Sequence, residues 1–291
     1  MAVRFRLGLG AGILAAMLGM LVPVQASSIK EDEEGLDSDQ VHDVREFALG
    51  NARFFLFHEA GHMLISELDL PVLGREEDAV DMLATLLMLH AETEEDDQAL
   101  VDSVDGWTLS SYARYASEEE EDLSAAHALD EQRAYTMTCL MIGKDAEWFV
   151  ESADDLEIAQ ERRDECVSEY ELARKSWFGL LERHQAAKPA MDQFRIAYRR
   201  PQDPDLSAYM ELVRQGRILE RLGEALSVYR LPRRVRITAM QCDEANAYWS
   251  PDEREITFCY ELAQAYLVLL ADYFREEESE DYAEDEAEQQ E

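Results

Sequence analysis

The sequence predicts an α+β protein, mostly α, with a small mixed sheet near its C-terminus. Three observations predict it. Between Gln40 and His184 the apolar residues recur at helical spacing, interrupted only by short turn signals. After Pro189 the texture changes, and FRIAY (194–198) and VRITAM (235–240) are β-branched and aromatic runs of strand length. NAYWSPDEREITF (246–258) then reads as a hairpin that turns at Ser250, Pro251, Asp252 and Glu253. The 291 residues carry enough apolar side chains for one substantial core. A single domain is expected over 41–274, with a helical part at 41–188 and an α+β part at 189–274.

The elements follow in order. Residues 1–26 read as a secretory signal, with Arg4 and Arg6 at its start, an apolar run at 7–22 and Ala26 at a small-residue cleavage site. The run is short for a membrane span and lacks a stop-transfer flank, so no insertion is expected after cleavage. The expected location is periplasmic or extracellular. Residues 27–40 are acidic and expected to be loose. A long helix is expected over 40–68, closed by Pro71 and Gly74. A second opens near Arg75, with acids in its first turn that suit the positive helix end, and continues through AVDMLATLLML. Further helices are expected at 96–116 and 124–142, with the acidic run 118–122 as a solvated loop between them. A charged helix at 156–184 would bury Trp177, Phe178, Leu180 and Leu181. Residues 206–229 read as helix, and a final helix at 260–274 precedes an acidic tail, 275–291, of disordered composition.

Sixty-four acidic against 27 basic residues give a formal net charge of −37. Such a field repels nucleic acid and anionic membrane surfaces alike, which excludes both as partners, and it serves solubility. Cys139, Cys166, Cys242 and Cys259 fit two disulfides of an exported protein. Three connectivities are possible. Cys139–Cys166 and Cys242–Cys259 are favoured because each pair brackets one local unit. None has the C-x-x-C spacing of a redox or metal motif.

The chemistry concentrates in FFLFHEAGHMLISELDLPVLGREEDAVD. His58 and His62, four apart on a helix, stand one above the other and can share a metal. Glu59 lies in a neighbouring direction, where it can reach a water without binding the metal. The flanks are apolar and uncharged, and histidines packed there without a metal would be poorly satisfied. Gly61 costs about 1 kcal/mol relative to Ala in mid-helix, which points to a close approach there. Two histidines leave the set one ligand short, and four acids follow. Metal-bound histidine usually donates its other ring N–H to a carboxylate. Glu77 and Asp81, one helical turn apart, can supply a ligand and an orienting carboxylate. Glu76 and Asp78 have apolar partners at i+4 and are expected to act only as charge at the helix start.

HEAGH followed by a helix bearing E-x-x-x-D is similar to the gluzincin metallopeptidases, the class of thermolysin and the CAAX-prenyl peptidases. More narrowly, FHEAGHMLISELDLPVLGREEDAVDMLAT, HALDEQRAY and CDEANAYWSPDEREITFCYEL together resemble a family of bacterial exported metallopeptidases, over roughly residues 51–270. The resemblance implies a zincin-like fold with a zinc-binding helix pair, one Zn2+, and a peptide or protein substrate hydrolysed by a zinc-activated water with Glu59 as general base. In HALDEQRAY, His127 and Arg133 are spaced like the His…Arg element of CAAX-type peptidases, although Ala128 stands where that family has Pro. Either is a catalytic candidate for the oxyanion, with Tyr135 behind them; Asp130, Arg133 and Tyr135 could equally form a structural cluster. In zincins an edge strand beside the metal pairs with the substrate backbone. It normally precedes the metal helix, whereas here the strands follow it. Ala247 and Tyr248 are the candidates for that contact. The rival readings are a non-catalytic peptide-binding protein, against which the intact Glu59 argues, and an amidase acting on non-peptide substrates. ITFCYELAQAYLVLL echoes the metal segment, with Tyr260, Glu261 and Gln264 in the motif positions; an ordinary apolar helix explains it as well.

Overall fold

The computed structural model describes residues 28–116 and 126–288; the expected signal segment, the acidic run at 118–122 and the last three residues lie outside them. The organising element is α2 (Ser38–Leu68). Asp37 caps its start, accepting from the N–H groups of Asp39 and Gln40 while the Gln40 side chain returns to the Asp37 N–H. From Phe47 to Leu64 it is apolar on nearly every face, which only a buried helix can be. It is surrounded accordingly by α3 (Glu76–Ala91), α4 (Glu94–Ala116) and α10 (Tyr260–Glu288), and by the sheet.

Gly61 faces α3, where an added Cβ would stand 2.9 Å from Val80 Cβ. The close approach expected at that glycine is therefore the crossing of the two helices that carry the motif. Beyond α3 pack α5 (Asp130–Lys144), the short α6 (Val150–Asp155) and α7 (Gln160–Leu181). Cys139–Cys166 ties α5 to α7, and Cys242–Cys259 ties the approach to β3 to the end of β4, both as favoured from the sequence.

The sheet comprises β1 (Phe194–Tyr198), β2 (Val235–Met240), β3 (Ala247–Ser250) and β4 (Glu255–Cys259) in the order β1-β2-β4-β3. β1, β2 and β4 run parallel, and β3 pairs antiparallel with β4, Tyr248 opposite Thr257. The mixed sheet and its hairpin agree with the expectation, and β3 is an edge. β4 is buried throughout and runs directly into α10.

Several boundaries differ. The segment expected to be loose holds α1 (Ile29–Asp32) and is anchored: Asp32 accepts from the Tyr209 hydroxyl, and Glu33 pairs with Arg45. The helix expected from 156 begins at Gln160. Buried Ile158 pulls the chain inward, Glu157 takes a left-handed φ of 49°, and Arg163 caps the carbonyls of Ala153 and Ile158. Residues 206–229 form two helices, α8 (Ser207–Gln215) and α9 (Ile218–Leu226), which break where Gly216 meets Leu49 on α2 and Arg217 turns left-handed. α5 starts at Asp130, leaving 126–129 non-helical. α10 continues to Glu288, through residues expected to be tail; Glu and Ala are good helix formers, and Arg275 fastens the helix to the carbonyls of Asp32 and Glu34. Among the described residues no helix is long and apolar enough to cross a membrane.

Candidate metal centre

α2 presents His58, Glu59 and His62 to α3, the two imidazoles 5.0 Å apart between ring centroids. Glu77, in the first turn of α3, points its carboxylate between them. Its Oε2 lies 3.2 Å from His58 Nε2 and 3.1 Å from His62 Nε2. The three ligand atoms lie within 4.8 Å of one another. Ligand atoms of a tetrahedral site with bonds of ~2 Å lie roughly 3.3 Å apart, so the spacing fits a single ion. The donor set, two imidazoles and a carboxylate, suits a divalent transition metal. His58 Nε2 and His127 Nε2 are both buried without a hydrogen-bond partner among the described residues, and of the two only His58 belongs to the cluster of mutually close ligand atoms.

Each histidine is held from behind. The His58 Nδ1–H donates to Asp81 Oδ1 at 2.7 Å, which leaves Nε2 as the nitrogen that faces His62 and Glu77. Asp81 in turn receives Arg133 through two bonds, from Nε at 2.7 Å and the terminal nitrogen at 2.8 Å. The Arg133 guanidinium lies 3.7 Å above the Trp107 ring. His62 Nδ1 meets Glu76 Oε1 at 2.8 Å. Here the expectation for Glu76 is corrected: the Nδ1 atoms of the two histidines diverge, so each takes its own carboxylate, and a partner at i+4 on α3 is irrelevant for His62. Asp78 remains an exposed helix-start charge.

The electrostatics follow from this crowding. Burial disfavours charge on His58, yet Asp81 and Glu77 beside it raise its pKa to about 9. Burial opposes ionisation of Glu77 too, but the surrounding histidines, His127 first, hold it far below the usual carboxylate range. Asp81 is likewise held low by Arg133 and His58 against the cost of burial. Burial pushes Glu59 up, and His58, His62 and the Trp249 N–H pull against it.

Glu59 is 2% exposed. The backbone N–H of Trp249, on edge strand β3, donates to its Oε2 at 2.7 Å. Its Oε1 is buried without a hydrogen-bond partner among the described residues and stands 4.0 Å from His58 Nε2. No residue pattern announces the Trp249 contact, because a main-chain donor has no side-chain signature. Ala247 and Tyr248 are brought beside the centre on the same strand, Ala247 buried and Tyr248 half-buried.

Of the residues in HALDEQRAY, His127 reaches the site, its Nε2 2.9 Å from Glu77 Oε2. Arg133 does not face the ligand cluster. It bonds Asp81 and lies over Trp107, the contacts of the structural cluster that is the other reading of this residue. Tyr135 lies beneath Arg162, and Asp130 pairs with Arg114. A cleft of about 630 Å³ opens between α3 and α5, lined by Asp78, Asp81, Met82, Ala128, Met137 and Leu140 among others. The C-terminal echo is structural. The Glu261 carboxylate accepts from the N–H groups of Cys242 and Asp243, Tyr260 donates to backbone carbonyls, and Gln264 donates to Asp32.

Fold and site together define a class: a mostly helical α+β protein whose longest buried helix carries HExxH, a candidate metal-ligand set that Glu77 joins from the next helix. The profile of a family described as "Putative metallopeptidase" matches residues 22–181 and 198–290. The chain belongs to that family. Comparisons with curated proteins and with solved structures return no match.

Proposed function

We propose that the protein is an exported zinc-dependent peptidase of gluzincin type, in which His58, His62 and Glu77 hold one Zn2+ and Glu59 is the general base. The observation that carries this reading is Glu59, whose one oxygen is fixed by the Trp249 N–H while the other stays open toward the ligand cluster. A carboxylate with a purely structural role would have both oxygens satisfied. One oxygen held open toward the ligands is what a proton acceptor for an attacking water requires. Zinc bound there supplies Lewis-acid activation of the water and of the scissile carbonyl. Glu59 takes the water's proton on Oε1 and delivers it to the departing amine. Its raised pKa, caused by burial, suits a group that must hold the proton between the two transfers.

Substrate placement follows from the neighbouring elements. β3 is an edge strand beside the base, and an extended peptide can add to such an edge through the outward main-chain groups of Ala247, while Tyr248, whose main chain pairs with Thr257 on β4, offers its half-buried side chain. The α3–α5 cleft, with Met82, Met137 and Leu140 in its lining, suits an apolar substrate side chain. In this reading the fold is a zincin-like arrangement in which the sheet follows the metal helices in sequence. Two disulfides in the described chain support export. Digestion of a peptide library tests the function. Wild-type cleavage that a chelator abolishes, and that Glu59→Gln loses while keeping its zinc, supports it. A zinc-loaded wild type that cleaves no peptide contradicts it.

A further inference from the structure

Each histidine ligand has a dedicated holder, Asp81 for His58 and Glu76 for His62. The third ligand needs one more than they do. Glu77 reaches the site through a flexible side chain from the first turn of α3, where Arg75 provides no side-chain cap. The other group that reaches its carboxylate is His127, whose buried Nε2 has no aligned hydrogen-bond partner among the described residues and lies 2.9 Å from Glu77 Oε2, with the two side chains 13% and 9% exposed.

We propose that His127 is the positioning residue of the third metal ligand, its Nε2–H donating to Glu77 Oε2 and fixing the carboxylate in its ligating orientation. The inference rests on the metal-site reading above. His127 stands outside the cluster of mutually close ligand atoms, which comprises His58, His62 and Glu77, and touches it at Glu77. A carboxylate oxygen offers two lone pairs, so Oε2 can face an ion with one and accept an N–H with the other. Carboxylate ligands are characteristically hydrogen-bonded in this way, and loss of such a partner weakens metal binding. The delivery of His127 is also built in. Residues 126–129 are non-helical, and the helix they enter is pinned at Arg133 by its two bonds to Asp81. One buried ion pair thus orients His58 directly and brings His127 to Glu77, so that all three ligands are held from α3 and the start of α5. An N–H engaged on Glu77 is committed to the ligand, and the consequence of its removal is loss of zinc.

Zinc titration against a chromophoric chelator, on the full chain, tests this without reference to turnover. His127→Ala is expected to weaken zinc binding about 10–100-fold, with the metal-free protein melting as the wild type does. His127→Gln, whose amide N–H can take the place of Nε2–H, is expected to recover most of that loss. The inference is overturned if His127→Ala binds zinc as tightly as the wild type, or if the Gln variant falls as far as the Ala variant. A wild type that takes up no zinc overturns it together with the metal site. Retained zinc affinity in the Gln variant and lost affinity in the Ala variant sustain it even if no peptide is ever cleaved.

Discussion

His58 is fully buried and would ordinarily shed its proton, yet Asp81 and Glu77 hold its pKa at about 9. The metal-free protein therefore binds this proton more tightly than the unfolded chain does. That contribution to stability is fully present below pH 6.5 and is lost as pH rises toward 9. Metal binding has the opposite sign, since the ion must displace the proton. Apparent zinc affinity should rise by up to tenfold per pH unit across this window, with proton release visible by calorimetry in buffers of different ionisation enthalpy. A flat affinity profile would contradict the coupling. Asp81→Asn should weaken zinc binding by about 10–100-fold. It should also cost about 3–5 kcal/mol in denaturant melts, because Arg133 is left buried without its counter-charge. At this scale the convergence of His58, Glu59, His62, Glu77 and Asp81 was readable from spacing and apolar flanks, because helical periodicity fixes which side chains share a face. Glu76 and Arg133 were not, since their roles depend on how one helix is rotated against another. The Trp249 N–H was invisible for a different reason: every residue but proline has one.

The helix pair α2–α3 is set by one glycine against one valine. Gly61→Ala should drive a methyl group into Val80, costing about 1–3 kcal/mol by overpacking and spreading the pair that brings Glu77 to the histidines. Both melting temperature and zinc affinity should fall, and Val80→Ala in the same chain should restore part of each, a non-additivity expected of residues in contact. Additive losses in the double variant would mean the crossing is not set there. Periodic runs, turn residues and the hairpin located most elements. The misses share a physical cause, in that a tertiary contact overrode local pattern. Ile158 broke a charged helix to reach the core, Gly216 against Leu49 split another, and Arg275 extended α10 over the N-terminal segment.

The whole molecule joins a helical half that supplies the candidate ligands to a sheet half that supplies the edge strand beside Glu59. The Cys242–Cys259 disulfide fixes the approach to that strand. Replacing both cysteines by Ala should lower stability by about 2–4 kcal/mol in denaturant melts under oxidising conditions, while zinc stays bound. Loss of zinc instead would show that the sheet half holds the ligands as well. The acidity of the chain, net −37, belongs to this scale too, and association with basic peptides should weaken as salt is raised. The central claim is that His58, His62 and Glu77 bind one zinc ion, and zinc K-edge X-ray absorption on the purified protein tests it most directly. The proposed site predicts one zinc per chain, with two imidazole nitrogens and light oxygen donors at about 2.0–2.2 Å, and no zinc in the His58→Ala/His62→Ala variant. Zinc retained by that variant, or a first shell containing sulfur, would contradict it.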